Sequence, residues 1–117
     1  MIATIKITDL RLRTITGIED WERKAKQDVI INMEMDYDAK LSAQNDSIDH
    51  GVNYKTITKK VIKLVEESNY QLLETLVTEI LKIMRENPLV KRAWVKVDKP
   101  FALRFSDSVS LQMTSGE

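Results

Sequence analysis

Glu74 stands in the run Tyr70-Gln71-Leu72-Leu73-Glu74-Thr75-Leu76-Val77, one carboxylate among apolar residues at the opening turn of a helix. A carboxylate on a partly dry wall accepts two parallel N–H bonds from a planar donor pair, such as the edge of an aminopyrimidinone ring, and such charge-assisted bidentate contacts are strong and directional. Glutamate in a first turn also complements the helix dipole, so its type alone makes no site. Three more polar residues keep it company: Glu22, Tyr54 and Lys99. A lysine and a carboxylate can move and hold protons, and a tyrosine can donate or orient one. Taken singly, Lys99 and Glu22 read as solvated charges and Tyr54 as an amphipathic anchor. All four fall at element ends, where sites are built on a rigid scaffold.

The elements that must position them follow from periodicity. Ile5, Ile7, Leu10 and Leu12 alternate with Lys6, Arg11 and Arg13, and Val29, Ile31, Met33, Met35 and Tyr37 alternate with Asn32, Glu34 and Asp36. Both are half-buried strands. Residues 17–24, which contain Glu22, are too polar and irregular to extend either strand and read as a loop or short turn closing an antiparallel hairpin. Residues 43–51 are dense in turn formers and make a surface connection. Two amphipathic helices come next, one with Ile57, Val61, Leu64 and Val65 on its stripe and Tyr54 at its start, the other with Leu72, Leu73, Leu76, Ile80, Ile83 and Met84. Asn87-Pro88 stops the second. Residues 90–98 and 108–114 are the closing strands, with Lys99 just beyond the third.

The order ββααββ implies an α+β fold, an antiparallel sheet with both helices on one face. Long apolar edge strands do not normally stay open, which predicts closure by oligomerisation into a shared barrel. The 117 residues are about one domain long, and 43 % hydrophobic content suffices for a core, so a single domain over 1–117 is expected. Lys+Arg and Asp+Glu both total 18, leaving no net field for nucleic acid or an acidic membrane. Without cysteine there are no disulfides or thiolate sites, and His50, the one histidine, has no companion ligand, so no metal is expected. The N-terminal alternation is unlike a signal peptide and no stretch reaches membrane-spanning length; a soluble cytoplasmic protein is expected.

The local sequences Gly17-x-x-x-x-Glu22-x-x-x-x-Gln27, Asn53-Tyr54, Leu72-Leu73-Glu74 and Lys99-Pro100, in this order and spacing, closely resemble the dihydroneopterin aldolase family over essentially the whole chain. Two activities share that framework, the aldolase and the dihydroneopterin triphosphate 2′-epimerase. Residues 10–14 (LRLRT), 53–59 (NYKTITK) and 102–110 (ALRFSDSVS) resemble the epimerase branch, while Asp20-Trp21-Glu22 resembles some aldolases. The resemblance therefore implies an epimerase first and, as the alternative, the 7,8-dihydroneopterin aldolase of folate biosynthesis, which releases glycolaldehyde and 6-hydroxymethyl-7,8-dihydropterin.

It further implies the tunnelling fold, in which subunits join sheets into a barrel as a tetramer or octamer, with sites between subunits and no cofactor. Lys99 would be the general acid/base, Tyr54 would supply or orient the proton returned to C1′, and Glu22 would organise water and the lysine ammonium. Glu74 would anchor the pterin edge, aided by backbone groups near Leu73 and Val52. A free lysine titrates near about 10.4, so the site is expected to depress Lys99, with Arg104 as a candidate neighbouring charge that would also contact substrate. Arg11, Arg13, Lys55, Lys59 and Arg104 are the candidate cations for a triphosphate.

Overall fold

The computed structural model describes residues 1–116. Four strands, β1 (Ile2–Thr14), β2 (Gln27–Asp38), β3 (Arg92–Pro100) and β4 (Ser108–Gly116), form one sheet in the order β1-β2-β3-β4, antiparallel throughout. Val29, Ile31, Met33 and Met35 of β2 and Ala93, Val95 and Val97 of β3 are fully buried on one face. Polar partners such as Asn32, Glu34 and Lys96 take the other, as a period of two requires. The apolar phase of β1 slips by one residue between Ile7 and Leu10, and a bulge absorbs the slip. Asp9 takes a left-handed φ of 54° there; its N–H donates to Asn32 Oδ1 at 2.9 Å and its carboxylate accepts from Asn32 Nδ2 at 3.2 Å. Ile5, Ile7, Leu10 and Leu12 can thus all pack on the core.

Two long helices cover the buried face. α3 (Tyr54–Glu67), which follows the short α1 (Asp20–Lys24) and α2 (Lys40–Asn45), packs on β1, and α4 (Leu73–Arg85) packs on β3 and β4. Asn53 caps α3, its side-chain oxygen accepting from Thr56 N. α4 has no side-chain N-cap, so its first N–H groups are left as free donors. Thr78 Oγ1 lies 3.9 Å from Met113 Sδ, and Arg85 Nη1 donates to Ser115 O at 3.0 Å. α4 therefore runs alongside β4 in the same direction, which puts its N-terminus at the start of β4 and, across the ladder, at the end of β3. α3 runs with β1: Tyr54 lines a cavity with Ile5 and Ile7, and Ser68 just past its other end accepts from Thr14 Oγ1 at 3.2 Å.

Three boundaries differ from the sequence expectation. The first hairpin connection holds a helix rather than a loop, because Glu22 reaches back to the N–H of Glu19 at 3.2 Å and closes its first turn. The connection after β2 contains α2 and a 3-10 turn, Ile48–His50. Lys99 lies inside β3, opposite Val109, and not beyond it. No helix among the described residues is long and apolar enough to cross a membrane.

Candidate active site

Glu22 is the only charged side chain among the described residues that is classed as buried, with 8 % of its surface exposed. Its Oε2 accepts from Lys99 Nζ at 2.7 Å, so the third residue of α1 meets the penultimate residue of β3 across 77 positions of sequence. The two side chains are only 12 % (Lys99) and 10 % (Glu22) exposed, where screening by water is weak. Burial alone pushes the Glu22 carboxyl up. The Lys99 hydrogen bond, the Glu19 backbone N–H, the Lys99 charge and the Gln27 amide outweigh it and hold the carboxyl below its ordinary value. The sign follows: stability from this pairing is present above the ordinary glutamate range and is lost as pH falls through the depressed folded value.

Backbone carbonyls and one glycine hold this pair in place. Gly17 sits at φ 119°, and a Cβ there would collide with the Glu22 carboxylate. Its N–H donates to Gln71 O at 2.9 Å, tying the end of β1 to the turn that opens α4. Arg23 Nη1 donates to Gly17 O and to Tyr70 O, both at 3.2 Å, and its Nη2 donates to Asn69 O. Gln27 Nε2 donates to Thr16 O at 2.9 Å. The segment carrying Glu22 and the turn leading into Glu74 are thereby one unit. Arg23 left no mark in the sequence, since every acceptor it uses is a main-chain carbonyl.

Glu74 is exposed at the N-terminus of α4, at the same end of the protomer as Lys99, with Leu73 half-buried beside it. Tyr54, 47 % exposed, and Val52, 2 % exposed, lie at the other end of α3. At 14 residues that helix is about 21 Å long, so within one chain they stand apart from the Glu22–Lys99 pair. Arg104 is in the exposed loop 101–107, its guanidinium 5.4 Å from the Phe105 ring centroid. The charge in contact with Lys99 is the carboxylate of Glu22. No group of three or more His, Cys, Asp or Glu able to hold a metal occurs among the described residues.

Gly17→Ala tests the packing of Glu22. The methyl group cannot coexist with the carboxylate, and the positive φ adds strain of about 1–3 kcal/mol. A displacement of roughly 1 Å in a group that positions a proton costs on the order of 100-fold in rate, so a reaction run by this pair should lose kcat by about that factor while the protein still folds. Full kcat in a folded Gly17→Ala protein would mean that the position of Glu22 is unimportant.

A family model described as dihydroneopterin aldolase (FolB) matches residues 5–114. Dihydroneopterin triphosphate 2′-epimerase of Pseudomonas aeruginosa is 48 % identical over 112 residues, covering 96 % of this chain and 91 % of that one. The enzyme of the same name from Escherichia coli K12 is 41 % identical over 112 residues, covering 96 % and 93 %. Among solved structures, Escherichia coli dihydroneopterin aldolase in complex with neopterin superposes with a TM-score of 0.91 at 24 % identity, over 97 % of this chain and 99 % of that one, a likeness of fold.

Proposed function

The chain belongs to the dihydroneopterin aldolase family, and from that premise we propose that it is a dihydroneopterin triphosphate 2′-epimerase working by retro-aldol and aldol steps at C1′–C2′. The observation that carries the chemistry is the buried Glu22–Lys99 pair, 2.7 Å apart, at the end of the sheet where α4 presents Glu74. The names of the two epimerase relatives favour epimerisation as the outcome. The family model spans 5–114, which supports reading 1–117 as one domain.

A 7,8-dihydropterin supplies its own electron sink, because the N5=C6 imine is conjugated to C1′. Glu74 receives the 2-amino and N3–H edge, with backbone donors near Leu73. Lys99, entering this step as the neutral amine, takes the proton of the 2′-hydroxyl, directly or through a water, and becomes the ammonium. The C1′–C2′ bond then breaks, its electrons pass into the ring as an enamine, and an aldehyde is set free in the site. If the aldehyde turns its other face and re-adds, Lys99 returns the proton and the C2′ epimer forms. Glu22 fixes the ammonium during these exchanges, and Tyr54 governs the proton that would otherwise reach C1′.

Tyr54 and Val52 stand about one helix length from Lys99, so this assignment needs a neighbouring subunit to supply them. The open edges of β1 and β4 give the means: β4 of one chain beside β1 of the next closes a ring, and the strand tilt and stagger that closing a barrel requires would carry the Tyr54 end of one chain toward the Lys99 end of the next. A tetramer or octamer is the assembly we propose.

A second reading is the aldolase itself, favoured by the description of the family model. Here the enamine is protonated at C1′ and the aldehyde leaves, giving glycolaldehyde and 6-hydroxymethyl-7,8-dihydropterin. Incubation with dihydroneopterin and, separately, its triphosphate decides between them. The 2′-epimer of the triphosphate should form with the higher kcat/KM; faster glycolaldehyde release from the unphosphorylated compound would reverse the order.

A further inference from the structure

The first turns of α3 are charged against their own dipole. Lys55, Lys59 and Lys60 occupy its N-terminal half with no acid in the first turn, and Glu66 and Glu67 close its C-terminal end with no base in the last. Helix dipoles favour the reverse arrangement. Like charges four residues apart, as in Lys55 and Lys59, also repel by about 0.2–0.5 kcal/mol. Lys60 relieves its part by pairing with Glu86 at 3.3 Å. Lys55 and Lys59 have no ion-pair partner among the described residues.

These two lysines line one cavity of about 630 Å³ together with Tyr54, Thr58, Lys6 and an apolar wall of Ile5 and Ile7. Strand alternation turns the Lys6 side chain toward the opposite face of the sheet from Ile5 and Ile7, so the cations available to an occupant are Lys55 and Lys59. The other candidate cations lie elsewhere: Arg11, alternating with the core-packed Leu10 and Leu12, is on the sheet face away from α3, in a separate cavity bounded by Pro100 and Phe101. Arg13 is held by Asp28 at 3.3 Å and by Lys26 O at 3.0 Å, and Arg104 lies over Phe105 in an exposed loop.

We propose that Lys55 and Lys59 clasp the phosphate chain of the substrate, which makes the Tyr54 end of α3 the half of the site that selects a phosphorylated pterin. This rests on the dihydropterin reading above. Tyr54 links the two readings: the residue assigned to C1′ borders the same cavity as the two lysines, which puts them within reach of a chain extending from the pterin tail.

The test uses the intact oligomer and the double variant K55Q/K59Q, with two measurements. In calorimetry, inorganic tripolyphosphate should bind the wild type and lose its binding in the double variant, while K55R/K59R restores it. In steady-state kinetics, KM for dihydroneopterin triphosphate should rise on the order of 30-fold with kcat within about threefold, so that the ratio of kcat/KM between triphosphate and dihydroneopterin collapses. Equal tripolyphosphate binding by both proteins, or an unchanged ratio, would overturn the assignment. A wild type inactive on both pterins sinks the proposed function by itself; lysine-dependent tripolyphosphate binding would still establish the anion site. Should the double variant fail to fold, Lys59→Gln alone, read by the same two measurements, decides the matter.

Discussion

Lys99→Ala should lower kcat by about 10²–10⁴-fold while pterin affinity changes little, because general acid–base groups contribute on that scale and the proposed anchor of the ring is a different residue. The two effects separate cleanly in the structure. Lys99 projects from the end of β3 onto Glu22, whereas the pterin edge is assigned to Glu74 on α4. Removing the ammonium also strands a buried carboxylate, which typically costs about 3–5 kcal/mol of stability. Lys99→Arg serves as the partner variant: it keeps a positive charge beside Glu22 but titrates far too high to exchange protons near neutrality. Both variants should be inactive, and only the alanine protein should melt early. Glu74→Ala should give the mirror image, with pterin affinity lost first. Fluorescence titration with a pterin and single-turnover assays measure all three. Undiminished turnover by Lys99→Ala would remove lysine from the proton path, and unchanged affinity in Glu74→Ala would remove the anchor.

The strands and long helices could be read from the chain because burial imposes a period of two on β2 and β3 and three-to-four spacing on α3 and α4. Lys99-Pro100 looks like a strand terminator, yet Pro100 lies beyond the last β2–β3 pair, Ile30–Asp98, so that stretch has an open edge where a missing N–H costs nothing and the ladder with β4 runs on to Pro100–Ser108. α1 has no periodic signature for a different reason: Asp20-Trp21-Glu22-Arg23-Lys24 has no apolar stripe, and its first turn is closed by a carboxylate bond back to Glu19. The site divides in the same way. Residue types and spacing marked Glu22, Tyr54, Glu74 and Lys99 through a family resemblance, but nothing local tells that Glu22 and Lys99 touch across 77 residues. Arg23 was invisible because its three carbonyl acceptors exist at every position of any chain.

Mixing two proteins that each fail to release glycolaldehyde from dihydroneopterin should restore that release, because cleavage needs the proton Tyr54 governs at C1′ as well as Lys99. Tyr54→Phe damages one end of the protomer and Lys99→Ala the other, and about 21 Å of α3 separates those ends, so no site formed within one chain can contain both residues. If adjoining subunits share each site, a junction where the Tyr54→Phe chain supplies Lys99 and the Lys99→Ala chain supplies Tyr54 is fully equipped. In a ring reassembled at random from equal amounts, roughly a quarter of junctions meet that condition, so the mixture should recover about a quarter of wild-type turnover. The two proteins must first be dissociated and reassembled together, and each treated alone provides the baseline. Size-exclusion chromatography confirms that the mixture has returned to one oligomer. Reassembled mixtures no more active than their components would show that Tyr54 and Lys99 do not serve a common site. The recovery also follows a shape no other arrangement gives: activity rises with the product of the two fractions and peaks at equal mixing, since each working junction needs one chain of each kind.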